Sequence, residues 1–223
     1  MTESGRFGGF PTAAFDFYDG LGADNSKTYW NAHRQMYDDA VRAPMIALLA
    51  ELEPEFGAAN VFRPYRDARF SKDKRPYKDH QGAFVGAEDA VGWYVQVGAE
   101  GLLVAGGWYA PQGSQLSRFR DAVDSAPGTE LARVVAALRA ARYAVGGDVL
   151  KTRPRGIDPE HPRIELLRHR SLTCTRQHGT PAWVSTRTAL RRIQQEWRAM
   201  SPLVEWLADH VGPAEDGPPP EPR

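Results

Sequence analysis

The sequence predicts an α+β fold in which an antiparallel sheet is covered by helices, with helical segments at both ends of the chain. Three observations carry this. Apolar residues recur at helical spacing through the first quarter of the chain. From Val61 the period changes to short aromatic and β-branched runs punctuated by glycine, and helical spacing returns from Leu116. Strands grouped between helical flanks, rather than alternating with them, point to antiparallel pairing within one domain over residues 7–212.

The elements follow in order. Pro11 suits the first turn of a helix carrying Phe15, Phe17, Tyr18 and Leu21, which Gly22 stops. Asn25 and Ser26 are candidate caps for a second helix with Trp30, His33, Tyr37 and Val41 in register, and Pro44 breaks or restarts it before Met45, Leu48, Leu49 and Leu52. Strands are expected at residues 61–65, 83–85, 93–97 and 102–108, with Gly98-Ala99-Glu100-Gly101 as a tight hairpin. Helices are expected at residues 116–123 and 131–143. A strand near 149–153, a helix over 162–170, a strand at 172–176 and helices at 183–200 and 203–211 complete the pattern. Residues 213–223 carry almost no apolar side chain and much proline, and are expected to form a disordered tail.

Hydrophobic residues at 42% and charged residues at 25% allow a sizeable core, and 28 Lys and Arg balance 28 Asp and Glu. That balance argues against a surface built throughout for nucleic acid or anionic lipid, so any anion site is local. Cys174 is the only cysteine, which excludes an intramolecular disulfide and a multi-cysteine metal site. With no leader pattern and no long apolar run, the expectation is a cytoplasmic protein without a membrane span; oligomeric state is not legible.

Two stretches are locally basic. Residues 63–80 hold Arg63, Arg66, Arg69, Lys72, Lys74, Arg75 and Lys78 against Asp67, Asp73 and Asp79. Guanidinium forks mixed with mobile ammonium groups suit an oxyanion, while pairing with Asp67 and Asp73 is the structural alternative. The second stretch holds Lys151, Arg153, Arg155, Arg163, Arg168 and Arg170 around Gly156-Ile157-Asp158-Pro159-Glu160-His161-Pro162. There a loop running into a helix start would attract anions, and Asp158 acting as a plain cap is the alternative.

The runs YRDARFSKDKRPYK from Tyr65 and LKTRPRGIDPEHPRIELLRHRSL from Leu150 resemble the family known as domain of unknown function 2461. The resemblance extends over about residues 7–212 and takes in Asn25 and Trp30, the Gly106-Gly107-x-Tyr109 turn and Pro202-Leu203; the aromatic pair Tyr29-Trp30 is slightly shifted from the family pattern. It implies the fold and its boundaries and brings no established activity.

Other chemistry finds little support. His161, Glu165 and His169 lie at four-residue steps, but eight residues of helix rise ~12 Å, too far for one metal ion. Phosphate-loop, dinucleotide-turn, nucleophile-elbow and His-Glu-x-x-His motifs are absent from the sequence, so no cofactor is expected. Cys174, between Thr173 and Thr175, reads as a buried strand residue rather than a nucleophile, and Trp93, Tyr94, Trp108 and Tyr109 as core rather than a stacking platform. The expectation is an anionic small molecule, phosphorylated or carboxylated, held in one cleft by Arg66, Arg69, Lys72, Lys74, Lys78, Lys151 and Arg155. The alternatives are a module that binds nucleic acid or an acidic protein, and a purely structural role.

Overall fold

The computed structural model describes residues 5–66, 73–110 and 112–214. Helix α1 (Thr12–Ala23) follows Pro11, and α2 (Lys27–Met36) is capped by Ser26, whose Oγ accepts from the Tyr29 amide at 3.1 Å. The helical path does not break at Pro44. A wider π turn (Tyr37–Arg42) leads directly into α3 (Ala43–Phe56), with the Ala43 amide reaching back five residues to the Asp38 carbonyl. Proline has no N–H for the carbonyl four residues earlier and its ring crowds that carbonyl, so widening the preceding turn lets the chain continue.

Six strands form one sheet among the described residues: β1 (Ala59–Val61), β2 (His80–Glu88), β3 (Val91–Gly98), β4 (Gly101–Trp108), β5 (Ala144–Gly146) and β6 (Leu172–Gly179). Their order is β1-β2-β3-β4-β6-β5 and every neighbour is antiparallel. The expected hairpin is present, with Gly98 opposite Gly101. Gly101 has φ +89° and its backbone meets Gly179 so closely that a Cβ would lie 2.0 Å from that carbonyl oxygen, so only glycine fits there.

Between β4 and β5 run α4 (Gly113–Asp124) and α5 (Pro127–Ala140), and one helical turn, α6 (Ile164–Leu167), precedes β6. The C-terminal helix α7 (Thr188–Val211) lies across β3 and β4 after a short 3-10 turn at Ala182–Ser185. The approach is tight, since a Cβ on Gly106 would sit 3.1 Å from Met200 Cβ. Trp93 Nε1 donates to the Trp197 carbonyl and Trp197 Nε1 to the Tyr94 carbonyl, both at 3.2 Å, stitching helix to sheet through otherwise costly buried polar groups. The core is contiguous from Phe7 on the N-terminal side to Val211.

Several expected boundaries move. The two C-terminal helices are one, because Leu190, Ile193, Trp197, Met200, Leu203, Val204, Leu207 and Val211 keep one buried stripe across Pro202. That burial outweighs the ~3 kcal/mol a mid-helix proline costs. The strand expected at 149–153 reduces to a single bridge between Val149 and His169, and pairing with β6 comes from Ala144–Gly146, before Gly147 at φ +139° turns the chain away. The helix expected over 162–170 shrinks to α6 because the preceding residues are spent on contacts. Arg163 Nε donates to the Val123 carbonyl at 2.7 Å and Nη2 to the Asp124 carbonyl at 3.0 Å, capping the end of α4. His161 accepts from the Arg163 amide and lies 3.0 Å from Asp124, so it serves the loop rather than a metal. Pro213 and Ala214, the first residues of the expected tail, are tied down: the Pro213 carbonyl accepts from Arg118, and the Ala214 amide donates to Asp89 at 3.0 Å. Residues 215–223 lie outside the described residues.

Candidate functional site

The first basic segment sits where the β1–β2 ribbon extends past the sheet. The Phe62 amide donates to the Gly82 carbonyl at 3.0 Å, the Lys78 amide to Pro64 at 2.8 Å and the Arg66 amide to Pro76 at 2.9 Å, so residues 62–66 and 76–82 stay paired through a Tyr65–Tyr77 bridge. Asn25 fastens this ribbon to the helical layer. Its side-chain amide donates to the Tyr77 carbonyl at 3.2 Å and accepts from the Tyr77 amide at 3.0 Å, standing in for a neighbouring strand. Asn25 is therefore a clamp, and Ser26 alone is the cap.

Aromatic rings fill the angle between ribbon and helices. Trp30 stacks flat on Tyr77, centroids 4.4 Å apart and 6° between planes, with Tyr37 at 4.8 Å and Tyr65 at 5.9 Å. Tyr65 is 52% exposed and forms the outer wall. Behind them the Tyr37 hydroxyl donates to Gln81 Oε1 at 2.5 Å, and Gln81 Nε2 donates to the Phe62 and Gly82 carbonyls at 2.8 Å. Burial raises the Tyr37 phenol well above its ordinary value, so it stays a donor.

The charged groups are interleaved. Arg75 grips Asp73 through Nε at 3.0 Å and Nη2 at 2.6 Å, and Arg66 Nη1 reaches the same carboxylate at 3.1 Å. The Arg75 hydrogen bonds, with the Arg66 charge, hold the Asp73 carboxyl far below the usual carboxylate range. Asp79 lies 3.7 Å from Arg66 and 2.7 Å from His80 Nδ1; burial opposes its ionisation, but the His80 hydrogen bond and the Arg66 charge lower its pKa. Two donors of this corner are left over among the described residues. The indole Nε1 of Trp30 and the Nε of Arg66 are both buried, and neither has a hydrogen-bond partner there. A buried unmade hydrogen bond costs about 1–3 kcal/mol, so such donors are spare capacity held at a cost.

Of the residues expected to bind a ligand, Arg66, Lys74 and Lys78 belong to this corner. Lys74 is exposed, and Lys78 is buried with its ammonium 5.1 Å from the Phe62 ring centroid. Arg69 and Lys72 lie outside the described residues. Lys151 and Arg155 are exposed on the loop between β5 and β6, which joins the sheet at a different corner from the basic ribbon. The basic ribbon enters the sheet at His80, opposite Gly98, whereas the second basic loop enters at Leu172, opposite Trp108 at the other end of β4. With two strands, β3 and β4, between the two entry strands, these corners are about 14 Å apart across the sheet and about 24 Å along it.

Most of the second cluster is committed locally. Arg168 donates to the Leu150 and Lys151 carbonyls at 3.0 and 3.2 Å, Arg153 to the Ile157 carbonyl at 2.7 Å, and Arg170 pairs with Asp148 at 3.3 Å. Cys174 is fully buried, its thiol donating to the Gly106 carbonyl at 3.4 Å, and burial pushes its pKa up to about 12. Trp93 and Trp108 are core residues, as expected. Sequence reasoning singled out neither Tyr77 nor Asp79 for the corner. Spacing gives no signal for Tyr77, and only the clamp from Asn25, 52 residues away, shows its role.

No curated protein matches the chain. The model of one family, described as conserved hypothetical protein (DUF2461), matches residues 13–206, which take in α1, the whole sheet, the basic ribbon and most of α7. The protein belongs to the DUF2461 family.

Proposed function

We propose that the corner formed by Trp30, Tyr65, Arg66, Arg75 and Tyr77 binds an anionic small molecule through a phosphate or carboxylate group. The observation that carries this reading is the pair of buried N–H donors, Trp30 Nε1 and Arg66 Nε, left without acceptors beside an exposed aromatic wall. An oxyanion supplies acceptors for both, and the guanidinium makes its bond charge-assisted. The acids Asp73 and Asp79 hold Arg66 and Arg75 in place, so the donors are oriented before a ligand arrives. Because carboxylates alternate with the arginines, this surface suits one compact anion better than a phosphate polymer.

The test is thermal denaturation across a panel of phosphorylated and carboxylated metabolites. A ligand at a hundred times its Kd adds ~2.7 kcal/mol, which raises Tm by roughly 5–11 °C for a chain of this size. Trp30→Phe keeps the stack and removes the N–H. It is expected to leave the unliganded protein as stable as before and to weaken binding about tenfold, the value of ~1.4 kcal/mol. If no anion stabilises the protein and Arg66→Ala destabilises it, the corner is a structural ion-pair network and the proposal fails.

A further inference from the structure

We propose that the molecule bound at the Trp30 corner carries an aromatic ring beside its oxyanion and packs that ring on Tyr65, an inference that rests on the corner being an anion site. Five aromatic rings run in unbroken contact from the core to the surface there. Phe17 meets Trp30 at 5.7 Å and Tyr37 at 5.6 Å between centroids, Trp30 lies 4.4 Å from Tyr77, and Tyr77 lies 5.5 Å from Tyr65. The first four are at most 4% exposed, whereas Tyr65 is the one aromatic residue classed as exposed among the described residues. The series therefore ends on an open ring.

Tyr65 is exposed but not loose. Its bridge to Tyr77, with the Lys78 amide on the Pro64 carbonyl at 2.8 Å and the Arg66 amide on the Pro76 carbonyl at 2.9 Å, fixes the backbone on both sides of it. The rings of Trp30 and Tyr77 lie against it at 49° and 42°, bracing it while about half of the residue stays open to water. A stacking surface braced in this way loses little freedom when a ligand arrives. A further aromatic ring gains the offset or edge-to-face attraction of an aromatic pair in addition to buried area, and a saturated ring gains the burial alone. The spare donor is close by. Trp30 Nε1 is buried without a partner, and the indole centroid is 5.9 Å from that of Tyr65, so one small molecule spans from donor to ring. Tyr77 covers one face of the indole, and the N–H lies in the ring plane, so the acceptor approaches along the indole edge. An exposed tyrosine by itself is ordinary. Joined to an unsatisfied buried donor, it selects an aromatic phosphate or an aromatic carboxylate: the oxygen meets Nε1 and the flat ring covers Tyr65.

The experiment titrates the full chain with two matched pairs of anions, phenyl phosphate against cyclohexyl phosphate and benzoate against cyclohexanecarboxylate, at constant ionic strength. 1H–15N spectra follow the indole Nε1–H signal of Trp30, identified by its loss in Trp30→Phe. It is expected to shift saturably with at least one aromatic probe, and the pair that acts names the oxyanion. Within that pair the aromatic member is expected to bind at least about twofold and up to about tenfold tighter, the range an aromatic pair adds beyond buried area. Tyr65→Leu keeps an apolar side chain and removes the ring; it is expected to bring the ratio below about two while the saturated member binds as before. In the parent protein, nuclear Overhauser contacts between the phenyl protons of the probe and the Tyr65 ring give the same answer without a variant. The ring inference is overturned, and the anion site left standing, by a ratio below about two in the parent, by a preference that survives Tyr65→Leu, or by a bound phenyl group with no contact to Tyr65. A Trp30 signal unmoved by all four probes up to about 50 mM, far above a millimolar Kd, overturns both readings.

Discussion

Replacing Gln81 by Leu tests how the corner is held from behind. Gln81 is 1% exposed and carries three hydrogen bonds, accepting from the Tyr37 hydroxyl and donating to the Phe62 and Gly82 carbonyls. Leucine fills nearly the same volume, so the loss is polar. The Gly82 carbonyl keeps the Phe62 amide as a partner, whereas the Tyr37 hydroxyl and the Phe62 carbonyl lose theirs. Two buried groups left unpaired cost about 2–5 kcal/mol together. For a chain of this size ~3 kcal/mol lowers Tm by roughly 6–12 °C. Tyr37→Phe removes one of the stranded groups, so the double variant Gln81→Leu with Tyr37→Phe is expected to be more stable than the two single effects added, by about 1–2 kcal/mol. Urea denaturation of all four proteins gives this coupling directly. A Gln81→Leu protein within ~0.5 kcal/mol of the parent, or strictly additive variants, would show that the hydrogen bonds between ribbon and π turn contribute little, and the reasoning would be refuted.

Three further outcomes are expected. Glu196, 13% exposed, is opposed by burial but accepts from His178, Tyr143 and Arg176, which together bring its pKa down to about 2; a folded pKa below the unfolded one gives stability present above about pH 4.5 and lost as pH falls towards 2, of order 2–3 kcal/mol, and Glu196→Gln flattens that part of an acid-denaturation curve. Cys174, buried and with its pKa raised to about 12, is expected to react with an aromatic disulfide only as fast as the protein opens, so brisk labelling under native conditions would contradict its placement. Removing residues 215–223 is expected to change Tm by less than about 1 °C, whereas removing Pro213 and Ala214 as well loses the Arg118 and Asp89 contacts and costs about 1–2 kcal/mol by thermal denaturation.

Much of the fold was written locally. The change from period 3.6 to period 2 near Val61, the Gly98–Gly101 hairpin and the Ser26 cap each depend on residues within a few positions of one another, so sequence alone determines them. The same holds for the burial of Cys174 in a strand and for the Arg-rich character of residues 63–80. Proline misled at Pro44 and Pro202, where helices were expected to break. Its local cost of a few kcal/mol is fixed by its ring, while the burial that overrides it comes from distant partners, such as the sheet residues that Trp197 and Met200 meet.

Only the tertiary structure decided where the charges go. Arg66 and Arg155 look alike in sequence, each in a basic stretch with an Asp within three residues, and strand order puts their segments at opposite corners of the sheet. The sequence identifies which side chains can donate; it does not say which of them finds an acceptor. Arg163 meets the end of α4, Arg75 meets Asp73, and Trp30, Arg66 and Arg120 each keep a buried N–H without one. Hydrogen bonding acts over about 3 Å and requires alignment, so it is settled by which surfaces the whole fold brings into contact, and that depends on pairings between residues far apart in the chain.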